Sequence, residues 1–226
     1  MDVNEVYNLV LYSTAKNLQQ GYVSPDDFNL TINQAQKSYT SYLLGSFQQY
    51  TPGRPIARVE FGQNTIIRTR LAPIIYWYDL SVDSFGYSPY PGDYLQTDAM
   101  VSIYGYQRIR SVQQDSLYSY YNSVIDPIAN NPIYILEDTG FKFFPTNIGN
   151  TKLSYVRNPP EIKWCYTLNP STGIPEYDPS ASANFQPIWD DAAMLEIIVR
   201  ALAIIGVNLQ MNVIEQYSMA IKNQGQ

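Results

Sequence analysis

Two pairs of adjacent carboxylates, Asp26-Asp27 and Asp190-Asp191, are the first residues in this chain whose type and spacing suit acid–base chemistry. Carboxylates alone can run glycoside hydrolysis, one as acid and the other as base or nucleophile. Each pair, however, opens a stretch of helical periodicity, where acids favour the positive end of the helix dipole. Helix capping accounts for both without catalysis. A separated pair, Glu60 and Asp79, would suit a cell-wall-degrading lysin, but no motif surrounds either residue. The chain has no histidine, and Cys165 is its single cysteine. Histidine is the commonest proton-transfer group near neutral pH and the commonest metal ligand. Without it, transition-metal sites lack their usual nitrogen and sulfur donors. Gly-rich phosphate loops, the dinucleotide fingerprint, the nucleophile elbow and the Asp-rich calcium loop are all missing. The chain is expected not to be an enzyme, with no catalytic, cofactor-binding or metal residues.

The abundant functional group is the phenol. There are 21 tyrosines, concentrated in Tyr76-Trp77-Tyr78, Tyr87-Ser88-Pro89-Tyr90-Pro91 and Tyr118-Ser119-Tyr120-Tyr121. Aromatic faces stack on sugars or single-stranded bases, and they anchor protein interfaces at low entropic cost. Charged residues make up 15% of the chain, against roughly 25% in ordinary domains. Solubility must rest on hydroxyls and on 17 Asn and 16 Gln, a surface resembling a protein contact zone. A net charge of −6 argues against a dedicated nucleic-acid binder. Arg68/Arg70 and Arg108/Arg110 would share one sheet face if they lie on strands, as a local patch or a solvated face.

These groups need a scaffold, and 226 residues are ample to bury a core. Helical spacing runs from Asp2 to Gln20 with Gly21 as C-cap, and Ser24-Pro25-Asp26-Asp27 restarts a helix to about Phe47. Residues 50–62 read as a loop. Thr65–Leu71 and Ile74–Val82 read as strands, and further strands fall between Tyr94 and Gln113. A short helix is expected at 115–124. Ile133–Leu136 and Phe141–Phe144 predict a hairpin turning through Gly140 at positive φ. Strands at Lys152–Val156 and Trp164–Leu168 follow. Residues 169–187, rich in Pro, Ser and Gly, read as an extended arm ordered by what it touches. An almost uniformly apolar helix to Ile205 should be buried on nearly every face, with Gly206 breaking it before a last helix. The fold class is α+β, a helical bundle from both termini with a β-rich middle. Its expected parts are 1–50, 51–168, the arm 169–187 and 188–226. The acidic N-terminus is expected to carry no secretory signal, Cys165 reads as a buried structural thiol, and 192–207 falls short of a membrane span.

Gly21–Leu30, leading into Asn33-Gln34-Ala35-Gln36, resembles the N-terminal helical hairpin of structural proteins of crAss-like tailed phages. Tyr155-Val156-Arg157-Asn158-Pro159-Pro160-Glu161-Ile162-Lys163-Trp164 resembles their closing segment. The resemblance implies an adaptor-like neck component of a short-tailed virion, a head-to-tail connector in a ring of about twelve copies beneath the portal. Implied partners are the portal, other neck and tail rings and tail fibres. Genome DNA would pass without specific binding, no membrane would be involved, and the protein would be made in the bacterial cytoplasm. Ring closure needs two different complementary surfaces per subunit. Asn169, Thr172, Ile174, Tyr177, Phe185 and Trp189 are the expected subunit contacts; Tyr76, Trp77, Tyr87, Tyr90, Tyr120 and Tyr121 are the expected partner contacts. The alternatives are a minor capsid or tail-tube protein, or a carbohydrate-binding, tail-fibre-associated module.

Overall fold

The structure is a computed structural model that describes residues 1–17, 23–45, 65–103, 107–120 and 126–208. Along the chain come α1 (Val3–Asn17), α2 (Pro25–Leu44) and α3 (Thr65–Leu71), which runs into a 3-10 turn at Ala72–Ile74. Strands β1 (Ile75–Leu80), β2 (Tyr87–Pro89), β3 (Tyr94–Ser102) and β4 (Arg110–Ser111) follow. After the short helix α4 (Leu117–Tyr120) come β5 (Ile133–Leu136), β6 (Gly140–Phe144) and β7 (Thr151–Arg157). Strands β8 (Tyr166–Leu168) and β9 (Pro175–Tyr177) precede α5 (Asp191–Asn208). The fold is α+β. It divides into two compact units, the first formed by 1–73 with 159–226 and the second by 74–158. Thr65–Pro73 and Pro159–Leu168, expected in the β-rich middle, therefore belong with the helices.

In the first unit, α2 starts where its caps dictate. Ser24 Oγ accepts the Asp27 N–H at 3.1 Å, Pro25 fills the first turn, and Gly45 at φ 86° closes the C-terminus. Its buried stripe is Phe28, Ile32, Ala35, Tyr39 and Leu43. Asp190 Oδ1 likewise accepts the Ala193 N–H at 2.9 Å, so this carboxylate caps α5. The buried stripe of α5 is Ala193, Met194, Ile197, Ile198 and Ala201, while Leu195 is exposed. The helix is thus one-sided, not buried all round. It also runs through Gly206 to Asn208, since one glycine costs a helix only about 1 kcal/mol. The expected last helix, together with Gly21, Phe47 and Glu60, lies outside the described residues.

Thr65–Leu71 is helix rather than strand. Arg70 reaches Glu196 of α5 at 2.6 Å and Leu71 is fully buried, contacts that override β-branched propensity. Arg68 and Arg70 consequently share no sheet face.

Residues 169–187 fold back on the chain instead of extending from it. Strands β8 and β9 pair antiparallel, Tyr166 opposite Tyr177 and Leu168 opposite Pro175. Asn169 Oδ1 accepts the Ser171 N–H at 2.9 Å, and Asp178 Oδ1 accepts the Ser180 N–H at 2.9 Å. These local side-chain turns satisfy the backbone without a partner molecule. The Ser180 hydroxyl, then backbone N–H groups, hold the Asp178 carboxyl below its usual range.

The second unit has two sheets that share a core. One has the antiparallel order β1-β7-β3; the other has the order β2-β6-β5-β4, with β4 parallel to β5. Leu80, Met100, Leu153 and Tyr155 from the first meet Tyr134, Phe141 and Phe143 from the second. Residues 107–111 cross between the sheets. Arg108 bridges Val101 of β3, and then Arg110 pairs with Ile133 of β5. The β5–β6 hairpin forms as the sequence implies, but Gly140 is not among the glycines at positive φ. It is needed for closeness: a Cβ there would lie 2.3 Å from the Ser88 carbonyl oxygen. No helix among the described residues is long and apolar enough to cross a membrane.

Candidate interaction site

Three amides on one face of α2 hold an extended segment of the first unit. Asn29 Nδ2 donates to the Trp164 carbonyl at 3.1 Å, and Asn29 Oδ1 accepts the Trp164 N–H at 2.8 Å. Asn33 repeats the pair on Ile162, at 2.7 and 2.9 Å. Gln36 Nε2 donates to the Pro160 carbonyl at 2.9 Å. The periods match: four helical residues advance about 6 Å and two extended residues about 6.6 Å. The helix thereby imitates the edge of a sheet. Trp164 Nε1 also donates to Asn4 Oδ1 at 3.1 Å, and its ring packs 4.1 Å from that of Tyr7. The two stretches that resemble the phage proteins are therefore in direct contact. The sequence signal was available, because Asn29, Asn33 and Gln36 recur at i, i+4 and i+7 beside the apolar stripe; the partner was not, more than a hundred residues away.

Of the expected partner contacts, Tyr76 and Trp77 lie on β1, an edge strand, exposed by 51% and 57%. Alternation puts them on opposite faces of the sheet. The Tyr76 ring meets Tyr155 edge-on at 6.3 Å and takes the Arg157 guanidinium at 5.8 Å, so its own face is partly engaged. Tyr76, Trp77 and Tyr78 thus do not all lie on one face. Tyr87 and Tyr90 are half-buried braces of the β5–β6 turn. The Tyr87 hydroxyl lies 2.8 Å from that of Thr139, and the Tyr90 hydroxyl donates to the Glu137 carbonyl at 2.7 Å. Tyr90 is stacked on Tyr94, with ring centroids 4.6 Å apart. Tyr120 packs half-buried against Val112, Leu117, Ile133 and Ile135. Tyr121 lies outside the described residues.

Burial, then the neighbouring phenols, push the Tyr90 hydroxyl up from 10 to about 12. Stability held in the neutral phenol is complete below pH 10 and is lost as pH rises towards about 12. Alkaline titration by near-ultraviolet absorbance should show a late phase, to which Tyr39, Tyr94 and Tyr155 also contribute, that is smaller by one phenol in Tyr90→Phe. Identical late steps in both proteins would refute the assignment.

The expected subunit contacts divide differently. Trp189 is corrected to the core: it is 5% exposed, donates through Nε1 to Gln36 Oε1 at 3.3 Å and meets Tyr39 edge-on. Tyr177 stacks on Trp164, with centroids 5.8 Å apart. Asn169 is a hairpin organiser whose Nδ2 donates to Glu176 at 2.7 Å. Thr172, Ile174 and Phe185 remain exposed. Cys165 is half-buried rather than buried, its N–H donating to Asn184 Oδ1. Asp79 sits exposed on β1 with Lys152 at 3.8 Å.

The second unit also opens a polar cleft of about 740 Å³ where 107–111 leaves β3 for β5. Its walls include Asp98, Arg108, Arg110, Asn130, Asn131 and Tyr134. Gln107, oriented so that its amide nitrogen faces the carbonyls of Ala129 (2.7 Å) and Asn130 (3.0 Å), fastens the neighbouring turn. Among the described residues, no group of three or more His, Cys, Asp or Glu could hold a metal ion. No protein-family model matches the chain, and no curated protein matches it significantly.

Proposed function

We propose that this chain is a virion structural protein, a head-to-tail connector or neck-ring component that joins portal to tail and continues the DNA channel. The observation that carries the reading is apolar exposure in a chain short of charge. Phe85 (72%), Tyr118 (80%) and Trp77 (57%) stand out from the second unit, and Leu168 (63%) and Ile174 (58%) from the first. Large side chains exposed at this density fit surfaces that are covered on assembly. The contact between the two phage-like stretches supports it, since the amide ladder gives those residues a shared structural task. In the assembled ring, helices from both termini form an adaptor-like bundle, and the chain occurs in about a dozen copies.

The test is a copy count by quantitative peptide mass spectrometry of purified particles. The expected ratio to the major capsid protein corresponds to about a dozen copies per particle. Hundreds of copies would reassign the chain to the capsid or tail tube. Absence from particles would overturn the reading.

A further inference from the structure

The cleft at the sheet crossover is bordered by Arg108 and Arg110, both exposed, and neither guanidinium makes an ion pair or hydrogen bond among the described residues. Both flank buried Ile109 and line the same cleft, so their charges add there. Two guanidiniums without a partner among the described residues form a local positive site in a chain of net charge −6.

The matching negative site lies on the same unit. The turn between β5 and β6 carries Glu137 and Asp138, both exposed, with no ion pair from either carboxylate among the described residues. The turn is held in shape: Glu137 N–H donates to the Gly140 carbonyl at 2.9 Å, Tyr90 holds the Glu137 carbonyl, and Tyr87 holds Thr139. A braced turn loses little entropy on docking. Strand β5 connects the two sites. Ile133, at its start, pairs with Arg110 beside the cleft, and the acidic turn follows its end at Leu136. Four strand residues separate them by roughly 13 Å, so one copy cannot seat its own turn in its own cleft. The pairing is available only between copies.

We infer that the Glu137-Asp138 turn of one copy docks into the Arg108/Arg110 cleft of the next copy of this chain. A carboxylate turn suits the cleft better than a nucleic acid. A phosphate backbone needs many cations in a row, and here Asp98 borders the same cleft. The contact is heterologous, one surface meeting a different one, which is the geometry that closes rings. It rests on the reading of the chain as a self-assembling ring component and names the surfaces that would meet.

The test uses two full-length charge-reversal variants, Arg108→Glu/Arg110→Glu and Glu137→Lys/Asp138→Lys, followed by sedimentation at low salt. Each alone sets like charge against like charge and is expected to associate at least tenfold more weakly than wild type. Mixed one to one, both cleft–turn combinations become complementary, so association should return to near the wild-type level. Wild type that stays monomeric throughout, variants that associate as wild type does, or a mixture that stays dissociated would each overturn the contact. Circular dichroism of each variant confirms that loss is not misfolding, and the mixing arm is immune to that explanation. A copy count near a dozen together with failed mixing would reject this contact and keep the virion reading. Restored mixing with no copies in particles would do the reverse.

Discussion

Asn33→Ala should lower the stability of the first unit by about 3 kcal/mol, because it strips the partners from both backbone groups of one buried residue at once. Asn33 Nδ2 donates to the Ile162 carbonyl at 2.7 Å, and its Oδ1 accepts the Ile162 N–H at 2.9 Å. Ile162 is 1% exposed, so water reaches those groups poorly after truncation. Each buried group left without a partner costs about 1–3 kcal/mol. The Gln36 amide, which donates to Asn33 Oδ1 at 2.9 Å, loses one of its partners as well. For a chain of this size the loss corresponds to a melting point lower by about 6–12 °C. Asn33→Asp separates hydrogen bonding from packing. It keeps the shape and the acceptor for the Ile162 N–H, but turns a charged oxygen towards the carbonyls of Ile162 and Asn29. It should be at least as destabilising as alanine. Denaturant titrations showing less than about 1 kcal/mol for both variants would mean that water repairs the ladder, and its structural importance would fall.

How much of this was legible depended on how far apart the interacting residues lie. The start of α2 was readable because Ser24, Pro25 and Asp27 act on one another within a single turn. The hairpin at 133–144 was readable for the same reason. Thr65–Leu71 was misread because the decisive contact, Arg70 with Glu196, spans more than a hundred residues, while the local β-branched pattern pointed the other way. The segment 169–187 was read by composition as an arm. Its Asn, Asp and Ser side chains were in fact building turns that bring Tyr177 back over Trp164. The tyrosines show the limit most clearly. Tyr76 and Tyr155 are the same residue type on paired strands, yet one is half exposed and the other buried against it. Periodicity cannot make that distinction on an edge strand open to solvent on both faces. The cleft was legible only as an i, i+2 arginine pair; that its strand changes sheets there is a property of topology.

Gly140→Ala is expected to be the most damaging single-methyl change in the second unit. The added Cβ would sit 2.3 Å from the Ser88 carbonyl oxygen, 2.7 Å from the Tyr87 hydroxyl and 2.8 Å from its ring. A tyrosine can rotate away, but the Ser88 oxygen belongs to a backbone paired in register, with Ser88 opposite Phe141 and Pro89 opposite Gly140. Relief requires β2 to part from β6, which exposes the edge of a core containing fully buried Phe141 and Phe143. Overpacking against backbone of this kind costs about 3 kcal/mol. The damage should reach the acidic turn too, since Tyr87 and Tyr90 hold Thr139 and Glu137 from the same loop. Gly92→Ala is the control: nothing lies within 4 Å of its Cβ, and it should be neutral or slightly stabilising. Thermal melts of the two variants decide the matter, with near-ultraviolet circular dichroism reporting the tyrosine cluster. Equal stability for both would mean that the β2–β6 approach relaxes freely. A Gly140→Ala protein that is folded but has lost self-association along with its tyrosine signal would instead tie the braced turn to the contact between copies.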